Sequence, residues 1–373
     1  MGPIEPISRG QFFLMTAVSV VAGGVYIWPQ TVISESGRDA GWAILLSISI
    51  AMGLVWLQTL WPPHTTGATE LGRMEELWGI VRWPVFLATI VLYVILDGAL
   101  LALFTQLLSI VFYPRTPRLV FSLSLILLSA WFAGKPLTHL ARTVQFWFPL
   151  VIGSFLLLAI LSLGNFRNPT AMLPSGDIQL MPIGRGFLAT WYLWIQGELI
   201  VTVGGHVRQT SWTTIRRWAL AAIAFQAIII VIIYGLVVGT LGPNAAVTLE
   251  WPLIYIFSNL TVQTAFISRP GLLIMVTWII ALVLYLAVHL WVLTTNLQDG
   301  WHLPEAYRLG LIGLVAALWI LIVHFLPTAV IATHLVVRGI DPLAFTVTIF
   351  TTVGALVLAK FKRRRVHAVP RDN

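Results

Sequence analysis

Residues 18 to 32 read VSVVAGGVYIWPQTV, an apolar run with Gly23-Gly24 and then Pro29 in its interior. The run belongs to a window, roughly residues 11–33, that is long enough to cross a bilayer. A helix in hydrocarbon keeps its backbone N–H and C=O groups bonded internally, so irregular backbone at that depth persists only against protein or a water-filled cavity. Breakers inside such a window therefore point to a binding site.

The remaining sequence supplies the frame. Of 373 residues, 58% are hydrophobic and 10% charged, and the mean hydropathy is +0.90. A soluble domain carries roughly 25% charged residues, so this composition specifies an all-α polytopic membrane protein forming a single transmembrane domain over 1–373. Ten windows of about 20 apolar residues meet the span criterion: roughly 11–33, 41–61, 84–112, 117–134, 140–164, 185–206, 215–241, 270–296, 305–326 and 339–360. The short polar start MGPIEPISRGQ has no cleavage site after it, so the first span is expected to remain in the mature protein. There is no cysteine, which excludes disulfides, thiol catalysis and thiolate metal sites.

The net charge is +8, and the tail at 361–373, with Lys360 before it, concentrates the positive charge in KFKRRR and Arg371. Placed after the last span, such a cluster speaks for a membrane lipid surface and against nucleic acid. With the N-terminus inside, 15 Lys and Arg fall in the termini and even-numbered connections against 7 in the odd-numbered ones. Both termini are expected to be cytoplasmic.

Connection lengths divide the chain into two halves, about 11–164 and 185–360. Long connections follow span two (61–83) and span seven (242–269), corresponding places in two sets of five, and each is expected to hold a short helix lying along a membrane face. Gly23 in span one and Gly197 in span six, within WIQGELIVTVGG, also occupy matching depths. Five spans per half turn the second half upside down. Interrupted spans at corresponding positions of two inverted halves are a pointer to a transporter-type site.

An opened helix at Gly23-Gly24 exposes N–H groups at the start of its outer half, where the half-helix dipole favours a carboxylate. Tyr26 joins those glycines in the candidate ligand-binding set, with Gly197 and Glu198 from span six. The competing reading of the glycines is close helix packing. Glu198 lies near mid-membrane, where a carboxylate costs about 2.5–3.5 kcal/mol on insertion scales. It could receive a ligand's ammonium group, hold an exchangeable proton, or pin helices together. Asp97, mid-span in LYVILDGALL, follows the same logic, and His289, in YLAVHLWVL, could relay protons because imidazole titrates near neutrality. Each has packing as its alternative. No His and carboxylate pattern supports a metal, and no cofactor is expected. Trp28, Trp42, Trp61, Trp83 and Trp251 fall at expected span ends and read as interfacial anchors.

Several stretches together resemble the spore germination permease family, the B subunits of endospore germinant receptors within the amino acid/polyamine/organocation superfamily. They are ISRGQFFLMTAVSVVAGGVYIWPQTVISESGRDAGW (7–42), the connector TTGATELGRMEELWGI (65–80), YPRTPRLVFSLSLILLSAWFAGKPLTHLARTVQFWFP (113–149), and Gly197-Glu198. FISRPGLL (266–273) departs from the family's acidic stretch there, keeping Arg269 but carrying Ser268 and Gly271 in place of two acids. The resemblance implies a LeuT/APC-like fold of two inverted five-helix repeats with helices 1 and 6 unwound around a central pocket. It further implies a small nutrient ligand, chiefly an amino acid, partnership with an A subunit and a C-subunit lipoprotein, and residence in the bacterial cell membrane or inner spore membrane. The alternative is a proton-coupled amino acid transporter of the same fold. An intramembrane enzyme would need catalytic residues clustered at a membrane face, and the sequence offers none.

Overall fold

The computed structural model describes residues 6–22, 26–60, 69–173, 178–208, 210–260 and 270–367. Gly23, Gly24, Trp61, Ser268 and Arg269 lie outside those residues. Every expected span contains helix. Span one is split into α1 (Arg9–Ala22) and α2 (Trp28–Ser36), followed by α3 (Ala40–Gln58). The connector helix α4 (Glu70–Trp78) leads to α5 (Arg82–Leu107), α6 (Arg118–Ala133) and α7 (Leu137–Ser162). Span six is split into α8 (Leu180–Leu188) and α9 (Gly197–Gly204), and span seven is α10 (Trp212–Thr248). A second connector helix α11 (Pro252–Ser258) precedes α12 (Pro270–Gly300), α13 (Arg308–Phe325), α14 (Ala329–His334) and α15 (Asp341–His367). Seven helical stretches among the described residues are long and apolar enough to cross a membrane, and α6 is a shorter apolar one.

Proline places many of these starts. Pro117 and Pro136 immediately precede α6 and α7, while Pro252 and Pro270 open α11 and α12. Pro29 sits in the first turn of α2, where a missing N–H costs no intrahelical bond. It therefore starts the second half of span one, and the interruption lies ahead of it.

Helix packing repeats itself between the halves. α5 packs on α13 as α12 packs on α6, α12 packs on α7 as α5 packs on α14 and α15, and α1 packs on α10 as α8 packs on α3. Each pair becomes its counterpart when five spans are added or subtracted, the internal symmetry expected of two repeats. The split spans one and six run through the centre, held by the other helices of both halves.

Two expectations need correction. The connector helices are not merely surface elements: Leu71, Arg73 and Met74 of α4 and Leu253, Ile254 and Phe257 of α11 are buried. Their apolar faces find partners in α12 and α15 and in α10 and α12 respectively. Trp28 and Trp251 are core residues, 0% and 8% exposed, whereas Trp42 is exposed. Trp28 opens α2 beside the break, so the ring that would end a surface-facing span instead fills the interior.

Candidate functional site

The break in span six runs from Ala189 to Gln196 and includes a single 3₁₀ stretch, Trp191–Trp194. It is tied on two sides. Gln196 and Gln226 of α10 exchange side-chain amide hydrogen bonds of 3.2 and 3.3 Å, and Gln226 Nε2 also donates to the Thr16 carbonyl of α1 at 2.7 Å. From α5, the Tyr93 hydroxyl donates to the Ile195 carbonyl at 3.3 Å. Polar side chains thus stand in for the helical bonds the break forgoes.

Glu198 follows in the first turn of α9, where the helix dipole favours a negative charge. It is 5% exposed, and its Oε2 has no hydrogen-bond partner. Beside it is a cavity of about 40 Å³, lined by Gln58 of α3, Glu70 and Met74 of α4, Tyr93, Gly197, Glu198, and Thr348 and Thr351 of α15. That is about the space of one water molecule. Gly197 lets the Gln58 amide approach closely: a Cβ there would stand 2.8 Å from Gln58 Cδ, so a larger residue requires that amide to move.

The cavity is closed below by the start of α4. Thr69 caps the helix by accepting from the Gly72 N–H at 3.1 Å and also bonds Asp299 of α12. The Glu70 N–H donates to Thr202 Oγ1 on α9 at 3.2 Å, and the Leu71 N–H donates to Asn296 Oδ1 on α12 at 3.1 Å. Glu70 and Arg73 form a buried ion pair, and Arg73 also donates to the Gln58 carbonyl at 2.7 Å. Burial pushes the Glu70 carboxyl above its ordinary range, against the opposing pull of Arg73. Its Oε2 has no partner. On the same side, Ile7 pairs with the end of α9, donating to the His206 carbonyl at 3.0 Å and accepting from the Arg208 N–H at 2.9 Å. The N-terminal end of span one is clasped to the C-terminal end of span six.

Asp97 and His289, from α5 and α12, meet. His289 Nδ1 lies 3.1 Å from Asp97 Oδ1, which also accepts from the Tyr285 hydroxyl at 2.6 Å. Both side chains are buried. Tyr26 does not line the Glu198 cavity: its hydroxyl donates to the Leu100 carbonyl at 2.8 Å, and its ring packs beside Phe104 and Trp278. The candidates therefore divide into a Glu198 group and an Asp97–His289 group, with Tyr93 between them, since its ring is 6.0 Å from that of His289.

The sequence reading passed over several members. Gln58 and Gln226 stand inside expected spans as uncharged polar residues, and Glu70 and Arg73 lie in the connector after span two, outside any expected span. Asp341 is 0% exposed at the start of α15 and faces the Tyr192 backbone in the break. Its signal was a carboxylate just inside the expected span 339–360.

The family model described as "Spore germination protein" matches residues 6–322, and the chain belongs to that family. A relative in Bacillus subtilis (strain 168), the spore germination protein YndE, is 21% identical over 292 residues, covering 75% of this chain and 77% of its own. Among solved structures, MhsT in complex with L-phenylalanine is similar with a TM-score of 0.71 at 16% identity, over 96% of this chain and 90% of that one. A substrate-bound, outward-open Na⁺-coupled sialic acid symporter is similar with a TM-score of 0.67 at 12% identity, over 95% and 80%. The fold is that of LeuT-type transporters, and family and fold together are those of a germination-related permease or transporter.

Proposed function

We propose that this member of the spore germination family is a nutrient-receptor B subunit that binds a small ammonium-bearing ligand, an amino acid, at the break of span six. The observation that carries the reading is the unpartnered Oε2 of Glu198, buried on a cavity beside Gly197. A buried carboxylate without a donor is expensive, and an ammonium group supplies both charge and donors. The similar fold of MhsT with L-phenylalanine supports an amino acid as occupant. Its carboxylate would be received at the break before α2, with Gly23, Gly24 and Tyr26 in the ligand set.

A cavity of about 40 Å³ is too small for an amino acid, so binding requires the split helices to part. A ligand shifts such an equilibrium only by its differential affinity for the two arrangements. The clasp between Ile7 and Val207 would carry that shift to the cytoplasmic face, where an A subunit and a C-subunit lipoprotein, the partners the family resemblance implies, would read it in the inner spore membrane. The second reading, proton-coupled amino acid transport, is favoured by the buried Asp97–His289 pair, and uptake into vesicles under a pH gradient separates the two.

The test is Glu198→Gln, which keeps size and hydrogen bonding but removes the charge. A charge-assisted hydrogen bond contributes roughly 1.5–3 kcal/mol, about ten- to more than a hundredfold in affinity. The dose–response for amino acids should shift by that factor at normal protein abundance. A wild-type curve would reject a role for the charge in recognition.

A further inference from the structure

We propose that Asp97 and His289 form a proton-binding site seated on the inner half of span one, so that the protein takes up or releases a proton as α1 moves. The inference stands on geometry that does not involve Glu198. Asp97 Oδ1 is approached by two groups, the Tyr285 hydroxyl at 2.6 Å and His289 Nδ1 at 3.1 Å, while Oδ2 has no partner. On the far side of the imidazole, Nε2 lies 3.4 Å from Ser19 Oγ of α1, and that hydroxyl is also 3.5 Å from the Met15 carbonyl.

The direction of the Ser19 bond depends on the ring's charge. With Nδ1–H facing Asp97, a neutral ring leaves Nε2 as an acceptor, and the one Ser19 proton must choose between Nε2 and the Met15 carbonyl. Both contacts are long, 3.4 and 3.5 Å. When the ring takes a second proton, Nε2–H donates to Ser19 Oγ, and the serine proton is free to go to Met15. Both bonds are satisfied together, and the Nε2–H···O bond becomes charge-assisted. The protonated ring therefore holds α1 against α12 more firmly than the neutral ring does. Parting the two helices returns that proton to water, and closing them takes it up.

The surroundings supply negative charge and phenols. Tyr93 and Asp97 face the ring from α5, Tyr285 shares its helix α12, and α1 contributes Ser19. Glu198 from α9, and Glu70 with its partner Arg73 from α4, lie farther off but within electrostatic reach through Tyr93. α6 and α13 pack on these helices, with Arg118 and Arg308 bonded near the ends of theirs, to Leu326 and Gln298 respectively. α7, packed on α12, sets Ser154 against Thr277. Among the described residues no ion pair joins a lysine or arginine to Asp97 or Glu198.

The experiment uses the full-length protein in nanodiscs with ¹⁵N-labelled histidine, His289 being identified as the signal absent from His289→Gln. As the pH is lowered through the range in which the protein stays folded, the His289 signal should change from that of a singly to that of a doubly protonated ring, and Asp97→Asn should alter that change. Because the chain lacks cysteine, Arg9→Cys at the exposed start of α1 reports the helix's movement through its rate of thiol labelling. That rate should change across the same pH range and become flat in His289→Gln and in Ser19→Ala, while Ser19→Ala keeps the histidine titration. In Glu198→Gln the histidine signal and the labelling rate should both remain pH-dependent, with their common midpoint displaced by the lost charge, while the amino acid response falls, which separates failure of this site from failure of the ligand site. If His289→Gln does not assemble, Asp97→Asn, which keeps an acceptor for Tyr285, takes its place. A His289 signal fixed in one form, a flat rate in the parent, or a pH-dependent rate that survives both replacements would overturn the proposal.

Discussion

Gly197→Ala tests whether the break of span six is built around a single close approach. A Cβ at Gly197 would sit 2.8 Å from Gln58 Cδ and 2.9 Å from Oε1, and closer still to Nε2. Gln58 is held in place because its Nε2 donates to Thr352 Oγ1 at 3.2 Å in a buried setting. The methyl group must therefore push the amide away from α15 or toward the cavity. Overpacking costs about 1–3 kcal/mol, and an amide left without its partner costs about 1–3 kcal/mol more, so a loss of roughly 2–6 kcal/mol is expected when both act. Thermal unfolding in detergent and the amino acid dose–response in nanodiscs measure the effect. Gln58→Ala removes the obstruction, so the pair should be coupled by about 0.5–3 kcal/mol in a double-mutant cycle. Additive effects, or a Gly197→Ala protein with parental stability and response, would refute the packing argument.

Arg73→Ala leaves Glu70 buried beside the cavity without its ion-pair partner, a loss of about 3–5 kcal/mol when one member of a buried pair is removed; a thiol at Met74→Cys, buried in the parent, should then become reactive. Because burial holds docked Glu70 above its ordinary range, the docked helix binds the proton more tightly than the undocked one. Docking of α4 should be strongest below the free-carboxyl value of about 4.3 and weaken as pH rises through the raised value; Glu70→Gln should abolish that dependence of Met74→Cys labelling. For topology, cysteines at Glu75 and Arg365 should be shielded from impermeant reagents in intact cells while one at Asn244 is labelled; the reverse pattern would invert the proposed orientation.

The spans were legible because hydrocarbon demands long apolar windows, and that demand leaves the same mark whatever the tertiary contacts. The interruption of span six was legible for a related reason: Gly197-Glu198 is hard to place mid-membrane without a local purpose. What could not be read was partnership. Nothing in the spacing of Asp97 and His289, 192 positions apart, says that α5 brings its carboxylate to the imidazole of α12. Glu70 and Arg73, three residues apart in a connector, become a buried pair only through the docking of α4 on α9 and α12, which nothing in their spacing announces. Trp28 misled in the same way, because an aromatic at a helix end reads as an interfacial anchor unless that end is known to lie inside the protein.

The buried carboxylates constrain the proposed ligand's charge. Asp97, Glu198 and Asp341 are 0%, 5% and 0% exposed, and among the described residues no lysine or arginine forms an ion pair with any of them. An anion entering this interior would meet buried acceptor oxygens with no lysine or arginine paired to them, whereas an ammonium group donates to the free oxygen of Glu198 and leaves a ligand carboxylate to the break before α2. Charge alone, with shape held constant, should then decide recognition. An amino acid that elicits the response and the hydroxy acid with the same carbon skeleton differ in having ammonium or hydroxyl at one carbon. The hydroxy acid should bind about four- to tenfold more weakly, since a charged donor to Glu198 is replaced by a neutral one worth about half as much. In Glu198→Gln the gap between the two compounds should shrink. Equal binding of both by the parent protein, or an undiminished gap in Glu198→Gln, would place the ammonium elsewhere and remove Glu198 from the recognition site.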